Sequence, residues 1–379
     1  AAGLDVVVAD HHEMSPVLPP AVAIINPKRA DSAYAFPYLC GTGVAMKLAW
    51  AVAQDLSPGA RVADDLREFL LEALSYCVLG TVADVVPLVG ENRIIAHHGL
   101  RGLPQSRLVG IRALIQSAGL TGKKLDGYDI GFKLAPRLNA IGRMGHARLA
   151  VDMLTRAAPD EAVRIAANLE QQNRARQAVE RKITNDAIKM VVEQGQNTDA
   201  VRVLVLASPD WHAGVIGIVA SRVVEEFGRP TIMIALNGDA GQGSGRSIRN
   251  FHLLDVLASC REHLLSYGGH AMAAGLKIEA DKIDAFRQAI QARAGQLLTP
   301  ADLRPKLHVD DLVGPAELDE QLVNDLARLE PFGAGNPTPK LATDWLRVIN
   351  EPRTVGTTRT HLQVTLGDGR AQCRGIAFG

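Results

Sequence analysis

The sequence predicts an α/β protein in four parts: a parallel-sheet domain over residues 1–156, a long connecting helix over 157–195, a second α/β domain over 196–300 and a small C-terminal β-barrel over 301–379. Three features predict it. LDVVVAD is a near-continuous Val run, the pattern of a strand buried on both faces of a parallel sheet. After QGQNTDA, a stretch of turn formers without an apolar face, strand, helix and strand patterns restart as VRVLVLA, GVIGIVASRVVEEFG and PTIMIAL. From Leu303 onward short strand-like runs alternate with Gly-rich turns, as in small barrels.

Taken in order, LDVVVADHH reads as a buried parallel strand whose carboxyl end carries the polar residues, the end where open α/β sheets gather ligands. AVAIINP is a second short strand, and GTGVAMKLAWAVAQ has helical spacing. DDLREFLLEALSYCVLGTVADVVPL reads as a helix and then a small-residue turn holding Asp84, and residues 90–156 continue as helices. APDEAVRIAANLEQQNRARQAVERKITNDAIKMVVEQ reads as a polar pair of helices of the kind that bridges domains, started by Pro159 and Asp160. In the second domain GQGSGRSI is expected as a glycine-rich turn, LLDVLASCREHLL as a helix, and YGGHAMAAGLKI as a turn entering a further segment. The helix DKIDAFRQAIQARAGQLL closes that domain.

Bulk properties narrow the function. The 379 residues exceed one compact core, and with 47% apolar and 22% charged residues the chain is not disordered as a whole. Lys and Arg (41) balance Asp and Glu (41), so any nucleic-acid role rests on local patches rather than a global basic field. Cys40, Cys77, Cys260 and Cys373 lie far apart and read as reduced, mostly buried thiols. No apolar run approaches the roughly 20 residues of a membrane span and no signal peptide is visible, so a cytoplasmic location is expected. A strand such as LDVVVAD ordinarily follows a turn and helix, so a preceding segment is expected; RAQCRGIAFG, strand-like and without a closing element, is expected to be cut short.

Several clusters carry chemistry. Asp10, His11 and His12 offer one hard oxygen and two imidazoles at a strand end, a set that suits manganese, zinc or iron, although an HH pair serves structure equally well. His97 and His98 read instead as a partly exposed helix face. Asp84 stands among small and apolar residues, where a metal or the first His pair would offset the cost of burying it; the alternative is an N-cap. APRLNAIGRMGHA sets Arg137, Asn139, Arg143 and His146 among glycines, and residues 131–182 hold ten Lys or Arg against five Asp or Glu, a place for a phosphate backbone or a solvated helix face. GQGSGRSI, with Ser244, Gly245, Arg246 and Ser247, is a plausible phosphate clamp that lacks the G-K-[ST] ending of a Walker A loop; His270 reaches toward the same anion or is structural. Trp211 and His212 are expected to begin a helix, and Trp345 and Phe332 are either base-stacking aromatics or core.

In this order VVVADHHE, GTVADVVPLVGENR, LAPRLNAIGRMGHA, GSGRSI with YGGHAMAAG, and LEPFGAGNPTP resemble the motifs of the DHH phosphoesterase superfamily, and within it the single-strand-specific 5′ to 3′ DNA exonucleases, along essentially the whole chain. The resemblance implies the C-terminal part of a DHH domain, a connecting helix, a DHH-associated domain and an OB-type barrel. It implies two-metal hydrolysis with Mn2+ or Mg2+, with His11, Asp84 and Asp10 at the metal, and with Asp10, His11, His12, Asp84 and Arg143 catalytic. Asn139, Arg143, Ser244, Gly245, Arg246, Ser247 and His270 would hold substrate phosphate. It further implies a monomer acting on single-stranded DNA in repair and recombination, with a single-strand-binding protein and a helicase as partners and no membrane. Two aspartate motifs of the superfamily, one of them aspartate-rich, are missing and would lie before Ala1, so the sequence as it stands is expected to bind metal weakly and be nearly inactive. The alternatives are a phosphodiesterase of short oligonucleotides or cyclic dinucleotides, and an inactive single-strand-binding fragment.

Overall fold

The computed structural model describes residues 3–14, 17–144, 147–356 and 359–378, with the side chains of 143 and 144 also outside the description. The chain divides into two compact units, one of Ala1–Ala135, Ala157–Ala162 and Leu307–Gly379, the other of Pro136–Arg156 and Val163–Lys306.

In the first unit β1 (Val7–Ala9) pairs in parallel with β2 (Ala23–Ile25). The parallel pairing agrees with the Val-rich pattern, but the burial does not: Val6 and Val7 are about half exposed, because among the described residues the sheet has only these two strands. Helices α1 (Gly41–Asp55), α2 (Asp64–Ala83), α3 (Gly90–Gly102) and α4 (Val109–Ser117) follow. Close packing fixes their glycines: a Cβ on Gly80 would lie 2.2 Å from the Thr42 hydroxyl, and one on Gly99 2.4 Å from Val78. A π-helical turn, Asp129–Leu134, leads into α5 (Ala135–Met144) near the division between the units. Such widened turns recur at functional sites.

The second unit continues through α6 (Arg148–Thr155) and, from Val163 onward, α7 (Pro159–Glu193). The expected pair of helices is a single 35-residue helix. Nothing after Pro159 breaks it, since residues 160–193 contain neither Gly nor Pro. Arg176 on α7 is buried and held by Glu180 at 2.6 Å and Asn173 at 2.9 Å, which satisfies its charge.

The sheet of this unit contains β3 (Leu204–Ser208), β4 (Thr231–Asn237), β5 (Ala240–Arg246), β6 (Ser266–Gly269) and β7 (Ala273–Glu279), ordered β3-β4-β5-β7-β6. Helix α8 (Ile216–Phe227) ends at Gly228 in the left-handed conformation, as its sequence foretold. Its residues Val219 and Val223 pack with Leu204, Met233 and α7 on one sheet face. On the other face α9 (Leu253–Ser259) and α10 (Ile283–Leu297) cover Ile232, Ile234, Leu276 and Ile278.

The glycine-rich turn expected at 241–248 is instead the central strand β5. Gly241, Gly243 and Gly245 alternate with polar residues, which is a strand period; a Cβ on any of them would meet Ile234, Leu276 or Leu253 at 2.6–2.8 Å. The glycines make room for large neighbours on the buried face, with no loop involved.

The chain then returns to the first unit with β8 (Asp311–Leu312), α11 (Glu320–Ala327), β9 (Leu341–Ala342), β10 (Arg347–Val348), β11 (Arg353–Val355), β12 (His361–Gly367) and β13 (Gln372–Ala377). Strand β12 pairs antiparallel with β13 along one edge and with β10 and β11 in succession along the other. The expected barrel is therefore an open antiparallel sheet among the described residues. All four cysteines are free, and burial pushes the Cys77 thiol up to about 11, so it stays protonated and unreactive near neutrality.

Candidate functional site

Strand β1 ends where its ladder does. The Asp10 N–H still donates to the Ile25 carbonyl at 3.0 Å, and beyond it the chain turns to present Asp10, His11 and His12 together. One ligand atom from each lies within 4.8 Å of the others. His12 Nδ1 hydrogen-bonds Asp10 Oδ1 at 2.8 Å, which holds the Asp10 carboxyl below the usual carboxylate range and fixes both side chains. Composition alone overlooked Asn26. Buried at the end of β2, it donates to the His12 carbonyl at 3.0 Å while its own carbonyl accepts from the Lys28 N–H, so it pins the two-histidine turn. An Asn just before Pro27 at a strand end was the available signal.

Asp84 comes to this cluster from the far end of α2, its carboxylate 3.6 Å from His11 Nδ1. It is the C-cap of that helix, not an N-cap, and it is exposed rather than buried. A carboxylate at a helix C-terminus faces the negative end of the dipole, so the position favours a nearby cation. The next residue, Val85, has φ 58°, a left-handed conformation that a β-branched residue rarely adopts. This strain sits beside the aspartate and fixes the direction in which the chain leaves it. Val85→Gly is expected to stabilise the chain by about 1 kcal/mol in urea unfolding, net of glycine's greater unfolded-state entropy. The loop after it is held by buried Asn92, which donates to the Tyr38 and Pro87 carbonyls, and by the Leu88 N–H on the Ala334 carbonyl.

In the second unit Asn139 is exposed on α5, and Arg143 follows one turn later on the same helix; its side chain and His146 lie outside the described residues. Arg137 is turned inward to Glu170 of α7 at 2.7 Å, so the anion it meets is a carboxylate of its own chain. On β5, Ser244 and Arg246 point to the face opposite the three buried glycines, with Arg246 Nη1 3.3 Å from Ser244 Oγ. Gly217, in the first turn of α8, lets both reach the helix N-terminus: a Cβ there would lie 2.8 Å from Ser244 Oγ and 3.2 Å from Arg246 Nη2. The positive end of the helix dipole, a hydroxyl and a guanidinium together suit an anion.

Two of the expected phosphate contacts do not fit. Gly245 lies in a strand flanked on both sides, where its N–H belongs to the ladder. Ser247 is buried, and its hydroxyl donates to the Phe251 carbonyl at 2.6 Å, which braces the start of the α9 segment. His270 is exposed at the β6–β7 hairpin, its N–H bonded to the Ala273 carbonyl.

The aromatic expectations divide. Trp211 is buried in the core beneath α8, which begins only at Ile216; the His212 carbonyl accepts from the Ile216 N–H. Trp345 is 100% exposed beside β10, so it is not core. Phe332 is half-buried in a cleft of about 1040 Å³ that starts at Val82 and Val85, on either side of Asp84, and also holds Tyr128 and Phe132, stacked with centroids 4.7 Å apart. His97 lines the same cleft, with burial and Arg101 lowering its pKa, while His98 faces solvent.

Residues 200–296 match the DHHA1 domain and 309–379 the RecJ OB domain. The single-stranded-DNA-specific exonuclease RecJ of Bacillus subtilis (strain 168) is 37% identical over 378 residues, 99% of this chain and 46% of the relative. The protein of that name from Escherichia coli (strain K12) is 35% identical over 387 residues, 99% of this chain and 66% of the relative. RecJ of Thermus thermophilus, crystallised in complex with Mn2+, superimposes with a TM-score of 0.84 at 31% identity, covering 100% of this chain and 53% of that one. The chain thus spans about half to two thirds of the length of these relatives. Since the two domain matches occur in the order the motifs require and the likeness runs through the metal-type cluster as well, the chain belongs to the RecJ family.

Proposed function

We propose that this chain forms part of a metal-dependent 5′ to 3′ exonuclease that hydrolyses single-stranded DNA. The observation that carries the reading is the meeting of Asp10, His11 and His12 with Asp84, which arrives from a different element and stops 3.6 Å from His11. The donor set fits Mn2+ or Mg2+: hard carboxylate oxygens and imidazole, with Asp84 at the negative end of a helix. His11, Asp84 and Asp10 would hold metal, and His12 orients Asp10. Bound divalent cations would supply an acidified water and neutralise charge on the attacking and leaving oxygens. RecJ structures of the relatives carry Mn2+ or Mg2+, which supports the assignment.

The protein's own part is to hold the strand. Arg143 and Asn139 on α5, with Ser244, Arg246 and His270 in the sheet unit, bind phosphate in this reading. Residues 1–156 are the DHH part, 157–195 the connector, 196–300 the DHH-associated domain and 301–379 the OB-type domain. The enzyme acts in repair and recombination in the cytoplasm as a monomer, receiving strands exposed by a helicase and by single-strand-binding protein; no described helix is long and apolar enough to cross a membrane. Trp345→Ala is expected to weaken single-strand binding by about 1–3 kcal/mol in anisotropy titrations and leave stability unchanged, because a fully exposed ring packs against nothing.

A phosphodiesterase of short substrates is the second reading, and the OB match argues for the long strand. Mn2+-dependent nucleotide release from a 5′-phosphorylated single strand, compared with a dinucleotide, by a full-length protein that carries this chain decides. Preference for the long strand is expected, and equal or faster turnover of the dinucleotide would favour the second reading.

A further inference from the structure

One face of the sheet in the second unit is covered by α8 over β3 and β4; the start of α8 reaches Ser244 and Arg246 of β5, and beyond them Gln242 of β5 and the same face of β7 and β6 are exposed. Its residues fall into cross-strand rows. Arg246 pairs with Ala273, whose carbonyl accepts from His270; Ser244 pairs with Gly275 and Gly268; Gln242 pairs with Lys277 and Ser266. Successive rows are two residues apart, about 6.8 Å along an antiparallel strand, a step an unstacked single strand spans between neighbouring phosphates.

The middle row is the informative one. Gly241, Gly243 and Gly245 are required by packing, but a Cβ on Gly268 would meet nothing within 4 Å and one on Gly275 only the Gly243 carbonyl oxygen at 3.8 Å. Neither has positive φ. The protein's own packing uses neither missing side chain, and glycine inside a strand weakens it, so the flat floor fits a ligand that approaches the backbone closely. The row beyond, on the same face, carries Lys277, exposed and without an ion pair among the described residues. One row further Glu279 replaces it with a carboxylate.

We propose that this face is a phosphodiester track for single-stranded nucleic acid, one phosphate per row, on which Lys277 and Gln242 bind the phosphate two steps from the one at Arg246, and that Glu279 ends the track by repelling a fourth. The proposal rests on the reading of Ser244, Arg246 and His270 as phosphate-binding. It assigns Lys277 a role in strand grip, not in chemistry.

The test is binding of 5′-phosphorylated oligothymidylates of two to six nucleotides to the whole chain, by anisotropy at several salt concentrations. The wild-type affinity is expected to step up between the dinucleotide and the trinucleotide. Lys277→Ala should abolish that step, weaken trinucleotides and longer strands about two- to fivefold, leave the dinucleotide unchanged and reduce the salt slope by about 0.7. Gly275→Val should melt at the wild-type temperature yet lose binding at every length, because its side chain occupies only the floor. An unchanged step and slope in Lys277→Ala, or unchanged binding in Gly275→Val, overturns the track. Arg246→Ala separates the two layers: if it too leaves every length unaffected, the phosphate reading itself fails, whereas loss with Arg246→Ala alone defeats only the track.

Discussion

Replacing His11 with Ala, or Asp84 with Asn, is expected to weaken Mn2+ binding by at least about 100-fold, since loss even of a residue that merely supports a metal ligand costs 10–100-fold. The two side chains come from separate elements, a strand end and a helix end, and face each other at 3.6 Å, so each removes one side of the cage. Neither change should unfold the chain. Asp84 is exposed, and His11, although mostly covered, is not among the buried core residues. Mn2+ titration by electron paramagnetic resonance reads the effect independently of turnover, and in a full-length protein that carries this chain hydrolysis should disappear with it while single-strand binding persists. Wild-type Mn2+ affinity in both variants would remove the metal assignment, and unchanged hydrolysis would count against a role for His11.

Gly269→Ala is expected to destabilise the second unit by about 3 kcal/mol in denaturant unfolding, from steric overpacking and a disallowed backbone conformation together. Gly269 has φ 143°, and a Cβ there would lie 2.4 Å from the Ala273 carbonyl oxygen and 2.5 Å from the Ala274 Cα. Those are backbone atoms of the paired strand and cannot swing aside. His270 hangs on the same hairpin, so phosphate binding should fall with stability. Gly268→Ala, one residue earlier, meets nothing and should unfold like the wild type. Equal stability of the two variants would show that the hairpin is looser than its geometry.

Much of the site was readable from residue type because metal chemistry draws on few side chains. An acid beside two histidines at a strand end, and a lone Asp among small residues, were found where the structure brings them together. Asp84 was read with the wrong surroundings, since sequence shows neighbours along the chain and not which helix end the carboxylate caps. Ser247 and Gly245 were misassigned because a glycine-rich string reads as a loop until its two-residue alternation is noticed; only the side chains of Ile234, Leu276 and Leu253 reveal why those glycines are there. The single α7 and the open C-terminal sheet have the same origin. Polarity marks a bridging helix without counting its breaks, and short strands announce β-structure without saying whether it closes.

Strand β5 carries two kinds of constraint in alternation. On its odd-numbered residues a substitution is resisted by neighbours that leave no volume, and the penalty appears whether or not nucleic acid is present. On its exposed even-numbered residues, Ala240 and Gln242, the protein itself exerts little resistance, and only a bound strand would register the change. The same seven residues therefore offer an internal control, in which foldability and substrate grip can vary separately at adjacent positions.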